Sequence, residues 1–294
     1  MKQFAGKNYN AILTTPYGNS FTIDMAKAAL EAESLGADNY TDLLAVSFSS
    51  PDYIGHSFGP NSIEQEDDFL RLDKDLGEFL DYLDAKVGKG QYLFFLSADH
   101  GVAHVPQFLE EHKIPAGKVN LSAVEETMNT QLKQRFGADN LIVSTYNYQV
   151  HLNHSAIDNL KLDETAIRKW IVTHLSKQPF ILRAFEIDKL SETTFNAKMK
   201  SMLANGYYPK RSGDIQFIFL PQWIESYGNT GTTHGLWNPY DAHIPLLFYG
   251  WNITKGKTHR EVYMTDIAPT LAALLHIQMP NGSVGNVIEE VINK

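Results

Sequence analysis

Residues 41–60 read TDLLAVSFSSPDYIGHSFGP, and residues 91–101 read QYLFFLSADHG. The first stretch opens on a nearly continuous apolar run, the pattern of a parallel strand buried on both faces. It ends at Asp52, and His56 follows inside a turn framed by Gly55, Gly59 and Pro60. From Ser62 the spacing predicts a helix. Ser62 and Gln65 form a capping box, and Phe69, Leu72, Leu76, Phe79, Leu80 and Leu83 recur at helical intervals before Gly88 stops the run. The second stretch is another buried strand that runs into charged residues. Strand, helix and strand in this order predict a right-handed βαβ unit within an α/β core.

Upstream, FTIDMAKAALEAESLG (21–36) predicts a helix capped by Thr22 and stopped by Gly36. Downstream the texture becomes more polar. Helical segments at 121–137 and 163–178 alternate with strand-like pieces at 140–153 and 214–224, which predicts a small α+β cap inserted into the core. The α/β texture returns with HIPLLFYG (243–250), a strand, and TDIAPTLAALLHI (265–277), a helix capped by Thr265 with Pro269 in an early turn. The expected organisation is a first core part over 1–104, the cap over 105–229 and a second core part over 230–294. No internal repeat or low-complexity segment is present.

Composition narrows the function. The formal net charge of −9 supplies no excess of Lys and Arg to neutralise phosphates, so a nucleic-acid polymer is not the expected main partner. There is no cysteine, so disulfides and thiolate metal sites are excluded, and any metal must be held by His, Asp or Glu. No apolar run is long enough to span a membrane and no signal-like segment opens the chain.

Three places concentrate such residues. Asp52 and His56 follow the first predicted strand, Asp99 and His100 follow the second, and His234 lies in the Gly-rich loop NTGTTHGLWNP (229–239). Ligands of open α/β sheets bind beyond the carboxyl ends of the strands, and Asp and His suit Zn²⁺ where Cys is lacking. Each piece also has an ordinary reading, because an Asp, a His and a Gly close together are common turn chemistry. His104 and His243 are rivals by proximity, whereas His112, His151, His154, His174, His259 and His276 read as ordinary helix, strand or loop residues.

Taken in order, SSPDYIGHSFGP, SADHG and TTHG resemble the alkaline phosphatase superfamily. The likeness is to its type I phosphodiesterase/nucleotide pyrophosphatase-like branch, which includes phosphate-irrepressible bacterial alkaline phosphatases, and it covers nearly the whole chain. It implies a doubly wound, mostly parallel sheet carrying two Zn²⁺ ions. Asp52, His56 and His234 would hold one ion, and Asp99 and His100 the other. It implies in-line displacement at phosphorus on a phosphate-ester small molecule, through a phospho-Thr or phospho-Ser intermediate, in the periplasm or outside the cell.

The family's Thr or Ser nucleophile and one further ligand Asp precede the segment matched by these motifs. The expectation is therefore a C-terminal part, incomplete at the N-terminal side of its sheet, with one complete zinc site, no catalytic nucleophile of its own and weak or absent turnover in isolation. Its missing N-terminal segment is then an expected partner. Thr14, Thr15 and Thr22 are poor nucleophile candidates. Other readings remain open: a non-catalytic or pseudo-enzymatic zinc-binding module, or a sulfatase or phosphonate hydrolase of the same superfamily.

Overall fold

A computed structural model describes residues 6–226 and 230–292. Along the first half run α1 (Tyr17–Ala32), α2 (Ser50–Phe58), α3 (Ile63–Leu83), β1 (Leu93–Ser97), α4 (Pro106–Glu111), β2 (Gly117–Val119), α5 (Leu121–Phe136), β3 (Ile142–Tyr146) and β4 (Gln149–Leu152). Then come α6 (His154–Asn159), α7 (Glu164–Leu175), β5 (Ile181–Glu186), α8 (Ala197–Asn205), β6 (Ile215–Phe219), β7 (Trp223–Glu225), α9 (Pro239–Ala242), β8 (Leu246–Gly250), α10 (Ile267–Leu274) and α11 (Glu289–Ile292). They form two compact units. One comprises Met1–Ile54, Ser62–Gly101 and His243–Lys294, the other Gly55–Asn61 and Val102–Ala242. Asn229, the limit expected for the cap, lies outside the described residues.

In the first unit α3 forms where predicted, with Ser62 Oγ accepting from Gln65 N at 3.2 Å and the chain leaving its last turn at Gly88 (φ +111°). Of its apolar repeat, Phe79, Leu80 and Leu83 face the core and Phe69 does not. Phe79 and Leu83 pack with Ile23, Ala26 and Leu30 of α1, while Phe69 points outward and Asp68 is buried in its place, accepting from Asn19 Nδ2 at 2.9 Å. α1 begins before Thr22, so this threonine is not a cap; its hydroxyl donates to Gly18 O one turn back. At α10 a 3-10 turn over Met264–Asp266 replaces the predicted Thr265 cap.

Residues 41–49 correct the expectation of a buried parallel strand. They form no ladder among the described residues, and they bury one side only: Val46 and Phe48 reach the α1–α3 core while Leu43 is 76% exposed. β1 pairs instead with β8 along one edge, antiparallel from Leu93↔Gly250 to Ser97↔Leu246, and its other edge carries no strand among the described residues. Among the described residues the parallel βαβ pairing of these two segments is not formed, although the mixed α/β class holds.

The second unit follows its local signals. Asn120 and Asp163 cap α5 and α7 by accepting from the third residue onward, and Gly137 (φ +73°) closes α5 in the left-handed region. Asn147 and Tyr148, both at positive φ, make the two-residue turn between β3 and β4. The sheet runs β3-β4-β6-β5, all antiparallel, and a short parallel pair joins β2 to β7. Its core gathers Met128, Leu132, Ile167, Ile171, Ile215 and Phe217, all essentially buried.

Candidate metal centre

The segment around Asp52 and His56 is a helix, not the flexible turn expected from its glycines. Pro51 lies in the first turn of α2, where a missing N–H leaves nothing unpaired. Gly55 continues the helix and Gly59 (φ +86°) ends it ahead of Pro60. A Cβ on Gly59 would also strike Val105 Cγ2. The spacing Asp52-x-x-x-His56 therefore places both side chains on one helical face, one turn apart. The boundary between the two units falls inside this helix, after Ile54, so the two residues belong to one element.

The His56 ring is oriented by the loop that carries His234. Its Nδ1 lies 2.9 Å from Thr232 O. A carbonyl only accepts, so Nδ1 carries the hydrogen and Nε2 the lone pair, the arrangement an imidazole ligand uses. Thr232 N returns a bond to His56 O at 3.1 Å. Gly231 (φ +84°) permits this approach, since a Cβ there would run into His56 O. The His234 ring lies 5.0 Å from the His56 ring, centroid to centroid.

One donor atom from each of Asp52, His56 and His234 lies within 4.8 Å of the others, and all three residues are half-buried. Donors about 2.1 Å from a common zinc are at most about 4.2 Å apart, so small side-chain rotations suffice to close the set. One carboxylate and two imidazoles are also the donor chemistry Zn²⁺ takes in the absence of thiolates.

Asp99 and His100 follow the C-terminal end of β1. His100 Nδ1 is 2.8 Å from Gly101 O, which again leaves the lone pair on Nε2. That atom lies 3.5 Å from Asp99 Oδ2 and 3.9 Å from Asp52 Oδ1, so Asp52 faces both His56 and His100. Asp99 is far more open, its side chain 86% exposed.

A second three-donor group, His154, Glu164 and Asp214, has a different character. His154 contacts both carboxylates at 3.2 and 3.0 Å. Arg168 donates to Glu164 Oε1 at 2.7 Å and Asp214 Oδ1 at 2.6 Å, and Leu152 N donates to Asp214 Oδ2. Burial alone would raise the Glu164 carboxyl, but the bond and charge of Arg168 hold it below its ordinary value. A guanidinium inserted between the acids makes this an ion-pair network rather than a cation site.

Among the described residues neither rival histidine joins a three-donor group: His104 Nδ1 contacts Asn61 Oδ1 at 2.7 Å, and His243 is exposed. Thr14, Thr15 and Thr22 each bond a carbonyl of their own turn, Ala11 O, Ile12 O and Gly18 O. Thr232 had no signal in the sequence beyond its place beside His234, because its partners lie 176 and 129 residues away.

Residues 3–241 match the type I phosphodiesterase / nucleotide pyrophosphatase family. The chain is 48% identical over 292 residues to alkaline phosphatase PafA of Elizabethkingia meningoseptica, covering 98% of this chain and 53% of that protein. It is 47% identical over 291 residues to alkaline phosphatase PhoV of Synechococcus elongatus, covering 99% and 52%. The crystal structure of wild-type PafA superimposes with a TM-score of 0.95 at 48% identity, over 99% of this chain and 55% of that one. The chain thus spans about half the length of the curated relatives it matches, and within that span it has their fold.

Proposed function

The chain belongs to the type I phosphodiesterase / nucleotide pyrophosphatase family, and from that premise we propose that it carries the metal-binding part of a zinc-dependent phosphate-ester hydrolase of the alkaline phosphatase type. The observation that carries this reading is the convergence of Asp52, His56 and His234 within 4.8 Å, inside the span that matches the family. Asp52, His56 and His234 form the first zinc site in this proposal, and Asp99 and His100 contribute two ligands to a second.

Zinc at these sites would supply positive charge that lowers the pKa of an attacking hydroxyl and stabilises charge developing on phosphoryl oxygens. The chain's own part is to hold the donors. α2 sets Asp52 and His56 one turn apart, and the carbonyls of Thr232 and Gly101 hold the His56 and His100 rings with Nε2 as the donor atom. Three protein ligands leave a fourth position open, as catalysis at zinc requires. A phosphate-ester small molecule is the proposed substrate. Export to the periplasm or cell exterior is part of the same proposal and rests on the family likeness; no helix among the described residues is long and apolar enough to cross a membrane.

The test is metal content after zinc loading and dialysis. Wild type is expected to retain about one tightly held Zn²⁺ per chain and His234→Ala to lose it. Equal retention by the variant would remove His234 from the site. In the natural polypeptide that carries this chain, Asp52→Ala is expected to lower kcat/KM for a phosphate monoester roughly 100-fold or more. Near-normal hydrolysis would end the metal reading.

A further inference from the structure

Thr232 makes three hydrogen bonds that converge on the candidate metal centre without supplying a ligand to it. Its carbonyl accepts from His56 Nδ1 at 2.9 Å and its N–H donates to His56 O at 3.1 Å. Its Oγ1 donates to Ala103 O at 2.7 Å, and the exchange is completed by Ala103 N donating to Thr233 O at 3.2 Å. Thr232 is 8% exposed and Ala103 fully buried, so neither carbonyl has water as a ready substitute. One buried residue therefore grips the backbone of α2, the ring of His56, and the segment at Ala103, while its second neighbour in sequence is His234.

We propose that Thr232 is a positioning residue for this ligand set: its backbone selects the Nδ1–H tautomer of His56, and its hydroxyl locks the loop so that this backbone, and His234 with it, stays in register with α2. Removing the hydroxyl leaves Ala103 O buried without that donor, and the least disruptive response is a shift of the loop. The same shift moves Thr232 O away from the His56 ring and the His234 ring away from its place beside His56. The proposal rests on the zinc reading for its consequence, but its tautomer half concerns the metal-free chain.

The experiment compares wild type, Thr232→Val and Thr232→Ser. Ring ¹⁵N shifts of His56 are recorded in the metal-free protein, and Zn²⁺ affinity is measured by chelator competition. Wild type is expected to show the Nδ1–H tautomer. Thr232→Val should populate both tautomers and bind Zn²⁺ about 10–100-fold more weakly, whereas Thr232→Ser should restore both readouts to within a few-fold of wild type. A role in stability alone would lower the melting temperature of Thr232→Val and leave its tautomer and zinc affinity unchanged, which would overturn the proposal. So would an Nε2–H tautomer in wild type, which decides the matter even if Thr232→Val does not fold. Failure of wild type to bind Zn²⁺, with the expected tautomers intact, would sink the metal reading while supporting the positioning of the ring.

Discussion

The two units close their cores to different degrees. In the second, a four-stranded antiparallel sheet packs with α5 and α7, and Ile167, Ile171, Ile215 and Phe217 lose essentially all contact with solvent. In the first, β1 and β8 form a ladder of two strands. Every residue of β1 is only half-buried, Leu247 and Tyr249 of β8 are exposed, and the small α1–α3 core has Phe69 and Leu70 on its outside. Two strands shield one another's backbones but not both faces, so a two-stranded ladder buries little by itself. Apolar residues of similar size thus contribute very differently in the two units, and substitution can break or sharpen that contrast.

The largest effect is expected deep in the second unit. Phe217→Ala removes a ring that packs edge-on against Tyr148 and beside Phe219, and should destabilise the unit by about 3–5 kcal/mol. Denaturant unfolding followed by hydrogen exchange of β6 amides reads it; a loss below about 1 kcal/mol would mean that this core is looser than its burial implies.

Next comes the one buried acid of the α1–α3 core. Asp68 Oδ2 and Asn19 Oδ1 are buried with no hydrogen-bond partner among the described residues, and burial pushes the Asp68 carboxyl up to about 6 from an ordinary 3.8, against the opposing bond from Asn19. A raised carboxyl holds its proton more tightly when folded. Its penalty is absent below about pH 4, grows as pH rises through 6, and is complete above. Asp68→Asn supplies a permanent donor where the carboxylate has none. It should match wild type near pH 4 and exceed it at pH 8 by up to ~3 kcal/mol. Parallel stability–pH curves for the two proteins would show that the acid is not desolvated.

The smallest effect belongs to the outer face of α3. Phe69→Ala should change stability by no more than about 0.5 kcal/mol, because the ring is already 55% exposed. A cost comparable to Phe217→Ala would show that this face is covered in solution, and would erase the contrast between the units.

The helices α5 and α7 of the second unit were legible from sequence because their signals are short, whereas β5 and α8 were not singled out and 140–153, read as one strand-like piece, is the β3–β4 hairpin. Asn120, Asp163 and Gly137 mark helix ends through hydrogen bonds spanning three or four residues, and any chain with those residues offers them. Of the five ligand candidates, chosen for residue type, loop position and the absence of cysteine, the structure brings donor atoms of Asp52, His56 and His234 within 4.8 Å of one another, while Asp99 and His100 join no such group among the described residues. The helix at α2 was misread as a turn although Pro51 at its start and Gly59-Pro60 at its end are helix punctuation; the internal Gly55 masked them. The outward phase of Phe69 was misread because apolar spacing alone does not say which side of a wide stripe meets α1.

What the sequence determined by itself was therefore part of the local grammar: that α3, α5 and α7 are helices and about where each ends, and which residue types suited to a cation are present. Tertiary structure alone decided that residues 41–49 stay outside any described ladder, that β1 takes β8 across some 150 residues as an antiparallel partner, and that Thr232 meets His56 across 176. Helix caps and turns close over a few residues, so their energy is set by the residues in view. Strand pairing and ligand convergence require closing long loops, and which of the many available contacts wins depends on the competing burial of the whole unit.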